Sequence, residues 1–260
     1  MSLPHLPLLR FGQPYASMDQ IEIRRLGASE PLVHVSQANA GLIRRDLARA
    51  RSPREVLRKL SSDALLETCR KAGELFRNGT LPLGDGGHTQ SPEEYVDAVS
   101  ATNGLPHRLC RENMMKIHQV FTQMGTILRG LTRGLDLTTF DGGVGEQAQV
   151  PLSFYAATDC LGVVLPNNSP GVNSLWMPAI ALKIPVALKP GRDEPWTPWR
   201  IIQAFIAAGC PPEAFGFYPA DHEGAEAVPS TCGRSMVFGD ERTVARYAGN
   251  PAVQVHGPGR

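Results

Sequence analysis

Apolar positions along this chain change period near residue 150, and that change divides it into two kinds of structure. Cys110, Met114, Ile117, Phe121, Met124, Leu128, Leu131 and Leu135 recur three or four residues apart. Such spacing lays one stripe along a helix of about seven turns, with the stripe buried. Upstream, Ser52-Pro53-Arg54-Glu55 and Ser91-Pro92-Glu93-Glu94 each offer an N-cap, a proline at the first helical position and a reciprocal Glu. A fresh cap is available near Ser61 to Asp63, where the helix begun at Ser52 can break before it stops at Gly79. An Ala-, Arg- and Leu-rich segment over 36–50 reads as a further helix, and residues 1–35 read as short strands or an extended arm.

Beyond Pro151 short β-branched runs alternate with helical stretches. Strands are predicted at 161–165, 184–188, 214–218, 235–238 and 252–255, with helices at 170–183, 195–208, 221–228 and 240–248. Alternation of this kind requires parallel crossovers, so the fold class is α/β, an open parallel sheet with helices on both faces. The glycine-rich run Asp141 to Gly145 marks a boundary between a mainly helical region, 1–150, and this α/β region, 151–260. In such a sheet the loops after the strands lie at the carboxyl edge, where helix N-termini present free N–H groups to ligands. Asn167, Asn168, Lys189 and Arg192 fall in two of those loops.

Composition alters this picture little. The 26 basic and 25 acidic residues give a net charge of +1, which provides no general attraction to nucleic acid or to an anionic membrane. Five cysteines, widely spaced and odd in number, form neither a Cys-x-x-Cys metal site nor a disulfide framework, and point to the cytoplasm. The first residues are interrupted by prolines and contain no run of signal-peptide or membrane-span length. His88 and His222 each lack a second ligand at metal spacing and read as surface residues, so no metal is expected. Cys160 and Cys232 have no neighbouring base and read as small core residues.

Several segments in order carry a family resemblance. Leu161-Gly-Val-Val, Pro166-Asn-Asn-Ser-Pro170, Pro178-Ala179, Val186-Ala-Leu-Lys189-Pro190, Ala208-Gly-Cys-Pro-Pro212, Val237-Phe-Gly239 and Val255-His-Gly-Pro-Gly-Arg260 follow one another without a gap. Together they resemble the start of the cofactor-binding domain of the aldehyde dehydrogenase superfamily. That family binds its cofactor in a Rossmann-like domain without the Gly-x-Gly-x-x-Gly fingerprint, which is also missing here.

The resemblance implies an NAD(P)-dependent oxidoreductase acting on an aldehyde or an acyl thioester, a homo-oligomer when full length. It makes Asn168 the amide that holds the substrate carbonyl oxygen, beside Pro166, with Asn167 replacing the family's usual tryptophan. It makes Lys189 a contact to the adenosine ribose. Arg192 stands where NAD-using members often carry a glutamate, and a guanidinium there suits the 2′-phosphate of NADP over NAD. Gly239 matches the turn under the pyrophosphate, with Asp240 in place of a serine and better suited to capping the next helix. His256 takes the position of the family's general-base glutamate. Members that hand the acyl group to coenzyme A also lack that glutamate, so an acyl-CoA reductase branch is expected. The family's catalytic cysteine follows the segment matched at 255–260, so residues 1–260 alone are expected to be inactive. Against this stand blander readings: asparagines that satisfy a turn, a solvated lysine, a histidine that closes a strand, and a non-catalytic nucleotide-binding or scaffold protein of the same fold.

Overall fold

The computed structural model describes residues 3–258. Its N-terminal arm is extended: β1 (His5–Leu6), β2 (Leu8–Arg10), β3 (Gln13–Tyr15), β4 (Gln20–Arg24) and β5 (Pro31–Ser36). β5 pairs parallel with β1 and antiparallel with β4 in a small sheet. β2 and β3 form a hairpin whose turn puts Phe11 and Gly12 at φ 47° and 84°. A Cβ on Gly12 would lie 2.5 Å from the Pro212 carbonyl carbon, so glycine alone fits there.

Helices follow: α1 (Ala40–Leu47), α2 (Arg51–Arg58) and α3 (Ser62–Asn78), then the hairpin β6 (Leu81–Leu83) and β7 (His88–Gln90). After it come α4 (Pro92–Asn103), α5 (His107–Thr122), α6 (Met124–Leu131), α7 (Thr139–Gly142) and a second hairpin, β8 (Val144–Gln147) and β9 (Val150–Ser153). Local chemistry explains several boundaries. Ser61 accepts from the Ala64 N–H to start α3, Ser91 and Glu94 complete a capping box on α4, and Gly104 ends α4 in the left-handed region at φ 75°.

The α/β part runs β10 (Leu161–Val164), a 3₁₀ turn (Pro170–Leu175), α8 (Pro178–Ala181), β11 (Val186–Lys189), α9 (Trp196–Ala207), β12 (Phe215–Phe217), α10 (His222–Thr231), β13 (Arg234–Phe238), α11 (Glu241–Tyr247) and β14 (Val253–His256). The large sheet has the order β14-β13-β10-β11-β12-β2-β3. Its first five strands are parallel, and β2 joins antiparallel to β12 through Phe217 and Leu9. The expected α/β sheet is therefore present, and the N-terminal arm extends it by two strands.

Strand alternation sorts the core into two layers. Val186 and Leu188 point into the larger cluster with α3, α5 and α9, while Ala187 between them faces the smaller cluster with α1 and α10. Arg200 of α9 links the helical part to the sheet. It is 1% exposed, and its guanidinium donates to the carbonyls of Phe76 (3.0 Å), Gly79 (2.7 Å) and Gln90 (2.8 Å).

Three local expectations fail. The stripe from Cys110 to Leu135 is not one helix: the ladder is interrupted at Gln123 (φ −100°, ψ 14°), next to Thr122, whose hydroxyl donates back to the His118 carbonyl at 3.1 Å. That back-bonding competes with the ladder and bends helices. After the bend Leu131 is 68% exposed, whereas Leu135, beyond the end of α6, is buried again. The crossover at 170–183 is a 3₁₀ turn plus a short helix, because Pro178 has no N–H to continue an α-ladder and the Asn173 amide donates to the Pro170 carbonyl. Finally α2 starts at Arg51, one residue before Ser52, and Ser52 is not its cap.

Candidate functional site

Parallel order places the ends of β14, β13, β10, β11 and β12 along one edge, so residues far apart in sequence become neighbours in sheet order. The loops after β10 and β11 clamp each other there. The Leu165 N–H donates to the Lys189 carbonyl at 2.9 Å, and the Asn167 Oδ1 accepts from the Asp193 N–H at 3.0 Å. Gly191 lies so close beneath them that a Cβ would fall 2.5 Å from both Asn167 Oδ1 and the Pro166 carbonyl oxygen. Asn167 thus does the turn-satisfying work, and Asn168 is left exposed with an amide that bonds to no described residue.

Lys189 ends β11 at the same edge. Its stem is partly buried, its amine has no hydrogen-bond or ion-pair partner among the described residues, and burial pulls its pKa below the usual lysine value. The fields of Asp221 and Asp193 oppose that shift. A charged amine drawn out of water without a partner is costly, and an electron-rich ligand would relieve the cost. Arg192 is exposed, two residues from Glu194, and its guanidinium has no hydrogen-bond or ion-pair partner among the described residues. The crevice between this loop and the N-terminal arm, lined by Gln37, Gly191, Arg192, Pro195, Pro219 and Ala220, encloses about 10 Å³.

The ends of β13 and β14 carry the other two candidates. The Gly239 N–H donates to the His256 carbonyl at 3.1 Å, and any side chain on Gly239 would strike Thr243. His256 stacks on Phe238 at 4.6 Å with the rings 12° apart. Its Nε2 is buried with no partner among the described residues, and burial lowers its pKa, so the ring is neutral near pH 7. Asp240 caps α11, accepting from the N–H and hydroxyl of Thr243 at 3.0 Å each. Asp221 likewise caps α10 through the Gly224 N–H at 2.9 Å. These helix starts already hold carboxylates, which disfavours a phosphate at either one.

Glu194 is a member of this loop that the sequence did not single out. It is 1% exposed and accepts from the backbone N–H and the hydroxyl of Thr197 at 3.0 and 2.6 Å. Thr197 in turn meets the Tyr95 hydroxyl at 2.8 Å. Burial pushes the Glu194 carboxyl up to about 8, against the lowering effect of the Thr197 bonds.

All five cysteines are buried and free. Burial raises the thiols of Cys69, Cys110, Cys160 and Cys210, so none of these four is a ready nucleophile. His222 opens α10 on the surface and His88 lies in β7. Among the described residues no cluster of acidic, His or Cys side chains is arranged to hold a metal, and no helix is long and apolar enough to cross a membrane. Residues 259 and 260, the end of the segment matched at 255–260, lie outside the described residues.

No family model matches the sequence. No curated protein matches it either. Solved structures do match in fold. An NAD-dependent aldehyde dehydrogenase from Sinorhizobium meliloti matches with a TM-score of 0.76 at 17% identity, over 96% of this chain and 49% of that one. Indole-3-acetaldehyde dehydrogenase matches with a TM-score of 0.77 at 17% identity, over 100% and 60%. 3,6-Anhydro-L-galactose dehydrogenase matches at 0.73 and 11% identity, over 96% and 51%. The chain thus shares the fold of the aldehyde dehydrogenases, and it spans about half the length of the structures it matches.

Proposed function

We propose that this chain is the N-terminal and dinucleotide-binding part of an NAD(P)-dependent oxidoreductase of the aldehyde dehydrogenase type. The observation that carries the reading is the unpartnered, partly buried Lys189 amine at the carboxyl edge of a sheet shared with those enzymes. In this reading residues 151–260 hold the nucleotide and residues 1–150 support them. Lys189 takes a ribose hydroxyl, Pro166 and Gly239 shape the backbone path, and Arg192 takes the 2′-phosphate of NADP. NAD is the alternative cofactor, its ribose hydroxyls accepted by Asp193 or Asp221. When bound, the nicotinamide would supply the hydride acceptor or donor. The chain's own residues have the simpler tasks of orienting and polarising. The free Asn168 amide donates to the carbonyl oxygen of an aldehyde or acyl thioester as negative charge develops on it. His256, neutral near pH 7, stands in the position of a general base.

With no glutamate in that position, the whole protein is proposed to exchange acyl groups with a thiol such as coenzyme A faster than it hydrolyses them. The whole protein is further proposed to be a cytoplasmic homo-oligomer. Because the five cysteines are buried, residues 1–260 alone should not turn over aldehydes. Calorimetric titration of the chain with NADP and NAD tests the nucleotide site. Lys189→Ala should weaken binding at least tenfold, and Arg192→Glu should cut the NADP preference by one to two decades, since a charge-assisted contact is worth ~1.5–3 kcal/mol. Absence of binding by either nucleotide at millimolar concentration would overturn the reading.

A further inference from the structure

Two of the five buried cysteines are set apart from the rest. Cys69, Cys110 and Cys210 lie in the larger core cluster and are 0%, 1% and 2% exposed. Cys160 and Cys232 lie together in the smaller cluster, between the sheet and α10, and are 3% and 9% exposed. Nothing in the dinucleotide reading uses them.

Strand register makes these two neighbours. β10 and β13 run parallel, with Leu161 opposite Arg234 and Gly162 opposite Ser235. One step back along each strand, Cys160 stands opposite Gly233, and Cys232 is the residue before it. Parallel strands lie about 4.8 Å apart and rise about 3.3 Å per residue, which puts the two Cα atoms roughly 6 Å apart, a separation that disulfides commonly span. The segments stay in contact beyond the ladder. Cys232 is extended at φ −75° and ψ 138°, and a Cβ on Gly233 would lie 3.2 Å from the Thr158 hydroxyl oxygen.

The side chains face each other as well. The Cys160 thiol is hydrogen-bonded to that of Cys232. Cys232 Sγ also lies 3.0 Å from the place a Cβ on Gly162 would take, two residues on from Cys160, so the bare glycine leaves room for that sulfur. The Thr158 hydroxyl donates to the Cys160 carbonyl at 2.6 Å and fixes the backbone there. Burial raises the Cys160 thiol, and the Cys232 contact adds to the effect, so Cys160 is not a ready nucleophile at rest. Cys232 is the more exposed of the two and sits between the exposed Thr231 and Gly233, where an oxidant arrives first.

We propose that Cys160 and Cys232 are a dithiol that a peroxide converts to a disulfide, tying the start of β10 to the end of α10. The Cys232 thiolate attacks one peroxide oxygen; an S–O bond forms, the O–O bond breaks, and hydroxide leaves and takes up a proton as water. Cys160 Sγ then attacks the Cys232 sulfur; the S–S bond forms, the S–O bond breaks, and the hydroxyl leaves with the Cys160 proton as a second water. The two thiols give up two electrons and the peroxide takes them. Because the sulfurs are already in contact, closure asks little of the folded chain, while it restricts the unfolded one, so the oxidised protein is the more stable. The pair is independent of the nucleotide edge.

Treating the 260-residue chain with hydrogen peroxide, alkylating it in urea and mapping the unreduced peptides by mass spectrometry tests this. The expected product is a monomer two hydrogens lighter than the reduced chain, with three alkylated thiols and one peptide pair joined at Cys160 and Cys232. Its urea unfolding midpoint should lie above that of the reduced chain and return when dithiothreitol is added. Cys160→Ala and Cys232→Ala should each abolish both the product and the shift, while Cys69→Ala leaves both in place. The peptide map of the wild type decides the pairing even where a variant fails to fold. Sulfinic acid at Cys232 without a disulfide, a bond to another cysteine or between chains, a midpoint that fails to rise on closure, or no reaction after hours in millimolar peroxide would each overturn the proposal.

Discussion

Replacing Glu194 by glutamine should make this protein more stable at neutral pH and remove a pH dependence that the wild type carries. The carboxyl is 1% exposed, and burial raises its pKa from 4.5 to about 8. An unfolded chain loses this proton near pH 4.5, while the folded chain keeps it until about pH 8. Between those limits the folded state binds more protons, so stability falls as pH rises, and below pH 4.5 the group contributes no difference. One pKa unit corresponds to about 1.4 kcal/mol, so a carboxyl raised from 4.5 to about 8 accounts for a loss of about 5 kcal/mol across the window. At pH 7.5 the loss is about 4 kcal/mol, a large share of the ~5–15 kcal/mol that holds a typical domain together. Glutamine keeps the same size and a carbonyl oxygen for the Thr197 N–H and hydroxyl, whose bonds measure 3.0 and 2.6 Å. Urea unfolding of both proteins from pH 5 to pH 8.5 measures the difference. The variant should match the wild type near pH 5 and exceed it increasingly toward pH 8. A constant difference across the range, or a variant less stable at pH 8, would refute the assignment of a buried, protonated Glu194.

Other outcomes follow from the same structure. Arg200→Met removes a guanidinium that serves three carbonyls and should cost about 4 kcal/mol in urea unfolding, with Arg200→Lys recovering only part, because an ammonium cannot reproduce the planar fork. Ser91→Ala breaks the capping box of α4 and should cost about 1 kcal/mol in the same measurement. Because all five cysteines are buried, a thiol reagent such as dithionitrobenzoate should label fewer than one thiol per folded chain within minutes, and all five after urea is added.

Much of the fold was legible in the sequence because its determinants are local. The strands β10 to β14 are short apolar runs, and a parallel strand buried on both faces needs only such a run. The caps at Ser61, Ser91 and Asp240 depend on side chains within three residues of the N–H groups they serve. Lys189, Arg192, Gly239 and His256 fall at strand ends, and the strand order brings those ends to one edge.

What could not be read is what depends on partners distant along the chain. Nothing near Leu9 says that it will lie beside Phe217 and add β2 and β3 to the sheet. The stripe through Met124 and Leu128 gave no warning of a bend at Gln123, since periodicity records which face is apolar and not whether a threonine hydroxyl disturbs the ladder. Asn167 and Asn168 are the same residue type side by side, and the approach of Asp193 from the next loop decided which amide is spent on the turn and which stays free. Glu194, Arg200 and Lys183 look like surface charges in the sequence, and they become buried groups only when segments up to about 120 positions away pack over them. Sequence periodicity fixed the local elements because hydrogen bonds and caps act over a few residues, whereas burial, and with it the free amine and the raised carboxyl, exists only once distant segments have closed around them.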